Sequence, residues 1–331
     1  MSRPLFENLE SRLVFSAVFA SAALSMLHAA TVHAQPATRR APATQPIDLS
    51  GVKSFVYQLQ NIDTAALSKT KFDLAVIDYS ADGTDEKRFS AKQIRHLRDG
   101  EGGHKTVLSY MSIGEAEDYR WYWKKEWVGA DGKPSREGPK WLGPVDPDWP
   151  GNFKVKYWES AWQAVVMQYV DRVIEAGFDG VYLDIIDAYE FWGPGGASGA
   201  NRKTAEAEMV EFVKSIATYA RDTKGIKQFI VFVQNSEELA RHKDYLAAVN
   251  GIGREDTWYN GNKPNKTATV AEVTGNLDLF KKAGKSVLCI DYVTREKTIN
   301  DFYAKASAKG YIPYASVRDL DKLTINKGHE P

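Results

Sequence analysis

The chain has 331 residues, and its 43 Lys and Arg are balanced by 43 Asp and Glu, so the formal charge is zero. That balance gives no electrostatic footprint for nucleic acid or an anionic membrane surface, and the length suits one large domain or two ordinary ones. A single cysteine, Cys289, excludes a disulfide within the chain, and its place in the apolar run 287–290 predicts an inert buried thiol.

The first 34 residues read as a secretory signal. Arg3 and Arg12 precede an apolar run over 13–27 that is rich in Ala and Ser, and Val32-His33-Ala34 offers small residues at the positions a signal peptidase reads. The run is too short for a spanning helix, and no later stretch is long and apolar enough. The mature protein is therefore expected to be secreted or periplasmic, with no membrane span. Residues 35–47, mostly Pro, Ala, Thr and Arg, cannot bury a core and read as a tether. The folded domain is expected over 48–320, with 321–331 as a tail.

From there short apolar runs alternate with amphipathic helices. Strands are expected at 54–59, 74–79 and 106–111, with a helix at 91–97 between the second and third. Residues 119–151 break the rhythm, being rich in Trp, Gly, Pro and charge. A connection that long carries function or is disordered, and its aromatic content argues against disorder. All nine tryptophans of the chain fall between Trp121 and Trp258. A weak strand follows at 153–157. Trp158, Trp162, Val165, Val166, Tyr169, Val170, Val173 and Ile174 then recur at helical spacing, and Gly177 is the natural stop. The strand from Gly180 comes next, then a Gly-rich surface loop at 193–199 whose spacing fits no phosphate cradle. Helices at 202–222, 237–249, 270–283 and 299–309 alternate with strands at 229–233, 251–253, 286–290 and 311–315. Continuous apolar strands alternating with helices indicate a parallel sheet covered on both faces. Eight such units over about 250 residues make a single-domain (β/α)8 TIM barrel. Nine strand candidates are present, so one is superfluous, and 153–157 and 311–315 are the weakest. A doubly wound open sheet is the alternative, but no Gly-x-Gly-x-x-Gly follows the first strand.

The residues that close the apolar runs are all polar: Gln58, Asp78, Glu115, Asp184, Asn235, Glu255 and Asp291. In a parallel barrel the C-terminal strand tips are where chemistry sits, and the N-terminal ends show no matching series. The plainer account, that acids terminate strands or cap the next helix, stays open for Asp78 and Asp187. Several converging carboxylates could serve a metal. The only histidines beyond residue 34 are His96, His104, His242 and His329, with no His-x-His or His-Glu-x-x-His, and no phosphate loop or Gly-x-Ser-x-Gly elbow is present. No metal and no cofactor is expected. Glycoside hydrolysis remains, and it needs two carboxyl groups of unequal pKa astride the bond. Aromatic side chains of the 119–162 region, Trp121 and Trp123 among them, could stack on sugar rings, whereas Trp158 and Trp162 fit core packing.

The segment 177–189, Ser112-Ile113-Gly114-Glu115-Ala116-Glu117 and Gly253-Arg254-Glu255-Asp256 together resemble the glycoside hydrolase family 114 domain, and Tyr57-Gln58-Leu59 and Val76-Ile77-Asp78-Tyr79 agree with it. The likeness spans about residues 53–316. It implies a (β/α)8 barrel that cleaves α-1,4-linked galactosamine polymers in an endo fashion. In that family an Asp after the fifth strand and a Glu after the seventh are the proposed catalytic pair, which implies Asp184 and Glu255 here. Asn235-Ser236-Glu237-Glu238 stands in place of the more usual Asn-Ala-Pro-Glu, so the chain looks closer to an uncharacterised bacterial and archaeal branch. The expected substrate-binding set is Gln58, Asp78, Tyr110, Glu115, Trp121, Trp123, Asp187, Tyr189, Asn235, Asp291 and Tyr292, and the expected partner is a polysaccharide. Deacetylated galactosamine carries ammonium groups that surplus acids such as Glu115, Asp187 and Asp291 would pair with. The competing readings are a carbohydrate-binding barrel without turnover and, behind it, a metal-dependent phosphoesterase.

Overall fold

The computed structural model describes residues 48–331. The expected signal over 1–34 and tether over 35–47 lie outside the described residues. Eight apolar runs become eight strands of one sheet: β1 (Phe55–Gln58), β2 (Leu74–Asp78), β3 (Thr106–Ser112), β4 (Gly180–Asp184), β5 (Ile230–Gln234), β6 (Gly251–Glu255), β7 (Ser286–Asp291) and β8 (Ile312–Ala315). They pair in that order, and every pairing is parallel. Phe55 on β1 and Tyr314 on β8 bring their rings to 5.4 Å, so the sheet curls almost shut into the expected barrel. Its strands are buried along nearly their whole length, which is why they read as continuous apolar runs rather than as alternation.

Helices α1 (Thr64–Ser68), α2 (Ala91–Arg98), α3 (Ser160–Ala176), α4 (Ala188–Trp192), α5 (Ala205–Thr218), α6 (Lys243–Ala248), α7 (Thr267–Lys282) and α8 (Glu296–Lys309) fill the connections. Helix α3 buries Trp162, Val166, Tyr169, Val170 and Val173 on one stripe. It ends at Gly177, whose left-handed φ of 82° a side chain would resist. Where one helix was expected over 237–249, a 3-10 turn at Glu237–Arg241 precedes α6. No helix follows β8, and residues 316–331 run without regular structure. None of the described helices is long and apolar enough to cross a membrane.

The surplus strand candidate is 153–157. Asn152–Val155 pairs antiparallel with Glu115–Glu117 and Leu142–Val145 in a separate three-stranded sheet, while β8 takes the eighth barrel position. Asp184 and Glu255 accordingly close the fourth and sixth barrel strands rather than the fifth and seventh. The small sheet anchors the long insertion between β3 and α3. Trp123 stacks on Phe153 at 4.7 Å, Trp127 meets Trp123 and Trp141 edge-on, and Trp141 lies 4.8 Å from Trp162 of α3. The Trp162 indole N–H also donates to the Ile113 carbonyl at 2.8 Å.

Alternation along each strand sets what points inward. Tyr57, Tyr182 and Phe232 fill the barrel beneath its C-terminal mouth, with Tyr57 and Tyr182 at 5.3 Å and Tyr182 and Phe232 at 6.5 Å. Their bulk requires gaps opposite. A Cβ at Gly253 would lie 1.7 Å from the Tyr182 hydroxyl, and one at Gly251 would lie 2.2 Å from the Phe232 ring. The same alternation puts Asp184 above Tyr182 and Glu255 above Gly253, so the aromatic plug forms the floor of the mouth and the two acids stand on its rim.

Candidate active site

Asp184 ends β4, where Ile185 turns the chain with a left-handed φ of 58°. Its Oδ2 accepts the Tyr110 hydroxyl at 2.7 Å, and its Oδ1 accepts the Ile185 N–H at 2.7 Å. Tyr110 reaches it from β3, where it pairs in register with Tyr182. Burial pushes the Asp184 carboxyl well above the usual carboxylate range, and the negative charge of Glu255 pushes it further, against the pull of the two donors. The two acids therefore share one electrostatic environment. Both also act on the hydroxyls of Tyr57 and Tyr182 in the plug below.

Glu255 ends β6. One carboxylate oxygen accepts the Tyr292 hydroxyl, and Oε2 accepts the Asn235 Nδ2 at 3.2 Å. Asn235 does more than that. Its Oδ1 receives the Glu255 N–H at 3.1 Å, and its own N–H donates to the Gly253 carbonyl at 2.8 Å. It makes these bonds from a left-handed φ of 58°, with Ser236 beside it at 53°. Two consecutive left-handed residues past β5 thus turn Asn235 back across β6. Arg254 lies in the same network, 2.9 Å from Glu237 and 3.2 Å from the Asn235 Oδ1.

Other expected members of the acidic ring are committed elsewhere. Asp291 at the end of β7 is fully buried and accepts the N–H groups of Thr257, Trp258 and Tyr259 at 2.8, 3.0 and 2.9 Å. Burial pushes it up to about 7 despite those donors. It fastens the turn that follows Glu255. Asp78 faces the Arg120 guanidinium at 2.7 Å, and Arg120 also holds Glu117 at 2.6 Å. All three are buried, and they fix the start of the long insertion against β2. Glu115 does not end β3, which stops at Ser112, but lies in the small sheet. Its buried carboxylate meets Lys154 at 2.5 Å, and burial raises it to about 7. Gln58 donates to the Gln60 and Asn61 carbonyls at 2.9 and 3.1 Å and shapes the turn after β1. Trp121 has Arg172 3.5 Å above its ring, and Trp123 has Phe153, so each has one face committed to protein.

Asp187 is exposed beside the mouth and precedes α4 without a side-chain capping bond. Tyr189 on α4 donates to Glu238. Glu190 is exposed on the same turn, and its carboxyl is raised by burial and by the charges of Asp187, Glu238 and Glu237. Next to this acidic rim, a cavity of ≈ 670 Å³ is lined by Tyr189, Glu190, Phe191 and the Gly-rich turn at 193–197. Sequence reasoning missed Glu190, Glu238, Arg254 and the plug residue Tyr182. Glu190 sits on the short helix α4, Glu238 and Arg254 lie inside motifs recognised by their neighbours, with no spacing to distinguish them, and Tyr182 lies inside an apolar run.

The arrangement is two carboxyl groups on one rim, each held by a tyrosine hydroxyl, over a buried aromatic floor. It can donate a proton on one side of a bond and supply a carboxylate on the other. Among similar proteins, a solved structure of the glycoside hydrolase domain of PelA from Pseudomonas aeruginosa superposes with a TM-score of 0.59 at 15% identity, covering 82% of this chain and 98% of that one. Ega3 of Aspergillus fumigatus, solved in complex with galactosamine, gives 0.60 at 16% identity, covering 84% of this chain and 96% of that one. At such identities the likeness establishes the barrel fold alone. Uncharacterised proteins of Methanocaldococcus jannaschii and Deinococcus radiodurans are 39% and 38% identical, covering 81% and 89% of this chain and 77% and 92% of theirs. The sequence pattern of Glycoside-hydrolase family GH114 matches residues 32–329. The chain belongs to that family and is a glycoside hydrolase.

Proposed function

We propose that this protein is an exported, endo-acting hydrolase of amino-sugar polysaccharides, with α-1,4-linked galactosamine polymers as its substrate class and Asp184 and Glu255 as its catalytic pair. The observation that carries the pair is their shared rim: two acids from β4 and β6, close enough that the charge of Glu255 raises the proton affinity of Asp184. Two neighbouring carboxylates resist ionising together, so the pair retains one proton where isolated acids would have lost both. The protonated member gives that proton to the glycosidic oxygen as the C1–O bond breaks. The ionised member stabilises the developing positive charge at C1, either by bonding to it or by taking a proton from an attacking water.

Amino-sugar specificity is supported by the rim. Asp187 and Glu190 stand exposed beside the mouth, and the charges acting on Glu190 are those of Asp187, Glu238 and Glu237, a field that ammonium groups on a deacetylated polymer relieve. The neighbouring cavity gives room for a sugar beyond the cleaved linkage, with Tyr189 and Phe191 in its wall. Galactosamine is the ligand solved with Ega3. Export is supported by the charge and apolar pattern of residues 1–34.

The test is hydrolysis of a galactosamine polymer by purified protein, read as released reducing ends, for the wild type, Asp184→Asn and Glu255→Gln. Both variants keep the shape of the side chain, and each should lose activity by several orders of magnitude, on the order of 10³-fold or more, with an unchanged circular dichroism spectrum. Full activity in both would end the assignment.

A further inference from the structure

The barrel has one weak seam. Strands β8 and β1 stand at the two ends of the sheet order, and among the described residues no ladder joins them. The segment after β8 crosses this seam. The Leu320 carbonyl accepts the N–H groups of Leu59 and Gln60 at 2.9 and 3.2 Å, and the Leu320 side chain is buried. Further on, Asn326 donates to the Ala315 carbonyl at 2.9 Å, and His329 stacks on Tyr303 at 3.9 Å. The segment is therefore anchored on both edges of the seam and on α8.

That anchoring fixes Arg318, two residues before Leu320. Its guanidinium lies 2.7 Å from Asp256 and 4.4 Å above the ring of Tyr292. Asp256 is the neighbour of Glu255 and holds a left-handed φ of 49°. Tyr292 is the residue whose hydroxyl bonds the Glu255 carboxylate. One planar cation thus grips the backbone turn beside Glu255 and the ring that orients its carboxylate.

We infer that Arg318 is a positioning residue for hydrolysis, carried to the mouth by the C-terminal strap to hold Tyr292 and, through it, Glu255. The inference rests on the reading of Glu255 as one of the catalytic pair. It follows that the C-terminal segment belongs to the working domain rather than trailing from it. Arg318 is about half exposed, with 46% of its side chain accessible, and exposed ion pairs contribute little to stability. Removing it should leave the barrel folded.

Arg318→Ala removes both the grip and the charge. Arg318→Lys restores the charge but not the planar stacking. Full-length Arg318→Ala should lower kcat roughly 10- to 100-fold, with KM changed less than about twofold and a melting temperature close to that of the wild type. Arg318→Lys, which keeps the charge but loses the planar stacking on Tyr292, should recover kcat only in part. Wild-type kcat in folded Arg318→Ala overturns the inference, as does a loss of activity that merely follows a loss of folded protein. Activity retained by Glu255→Gln would instead overturn the catalytic pair, so the two failures are distinguishable.

Discussion

Tyr110→Phe removes one hydroxyl, keeps the ring in place and leaves no cavity. In the native protein that hydroxyl donates to Asp184 Oδ2 at 2.7 Å and favours the ionised carboxylate against burial and the charge of Glu255. A hydrogen bond to a charged group is worth about 1.5–3 kcal/mol, and about 1.4 kcal/mol corresponds to one pKa unit. Without the bond the charged form loses that support, and Asp184 should titrate higher still. The sign is fixed because the lost donor stabilised only the charged form. The assay is the pH profile of kcat/KM on a galactosamine polymer, and it reports more than the size of the shift. If Asp184 must be protonated, its titration is the basic limb, and that limb moves up. If Asp184 must be ionised, the acidic limb moves up instead. The limb that moves identifies its role. A variant in which neither limb moves, with the profile otherwise intact, would refute Asp184 as a titrating member of the site.

Two further outcomes follow from the structure. Burial raises Asp291 to about 7 in the folded state, above the ordinary value of an unfolded Asp of about 3.9. Its contribution to stability is therefore complete below about pH 4 and declines as pH rises through about 7. Asp291→Asn should abolish that share of the pH slope, read as urea midpoints at pH 5 and pH 8. It should also lower stability by about 1–3 kcal/mol, because its amide nitrogen cannot accept from the Trp258 and Tyr259 N–H groups. An unchanged slope would contradict this account. Trp141 is buried between Trp127 and Trp162, so Trp141→Ala should cost about 3–5 kcal/mol of stability while KM stays at the wild-type value. A large rise in KM with native stability would instead make Trp141 a sugar platform.

Much of this architecture is legible in the chain because it is local. Apolar runs of strand length, the stripe from Trp162 to Val173 and the stop at Gly177 each depend on residues a few positions apart. The barrel follows from their repetition, and Asp184 and Glu255 were readable because an acid closing an apolar run is itself a local signal. The same signal could not tell Asp291 or Asp78 from Asp184. What separates them is the nearest partner in space: three backbone N–H groups for Asp291, a guanidinium some forty residues on for Asp78, and a tyrosine from the adjacent strand for Asp184.

By itself the sequence determined the strand and helix rhythm, the family and the acids that close several of the strands. Only the tertiary structure decided that 152–155 leaves the barrel, that the tryptophans pack largely on one another and on the barrel helices, and that the segment past β8 brings Arg318 to Tyr292. The physical reason is that a carboxylate or an aromatic ring takes its role from the groups that close around it, and in a barrel those come from strands and loops far apart along the chain.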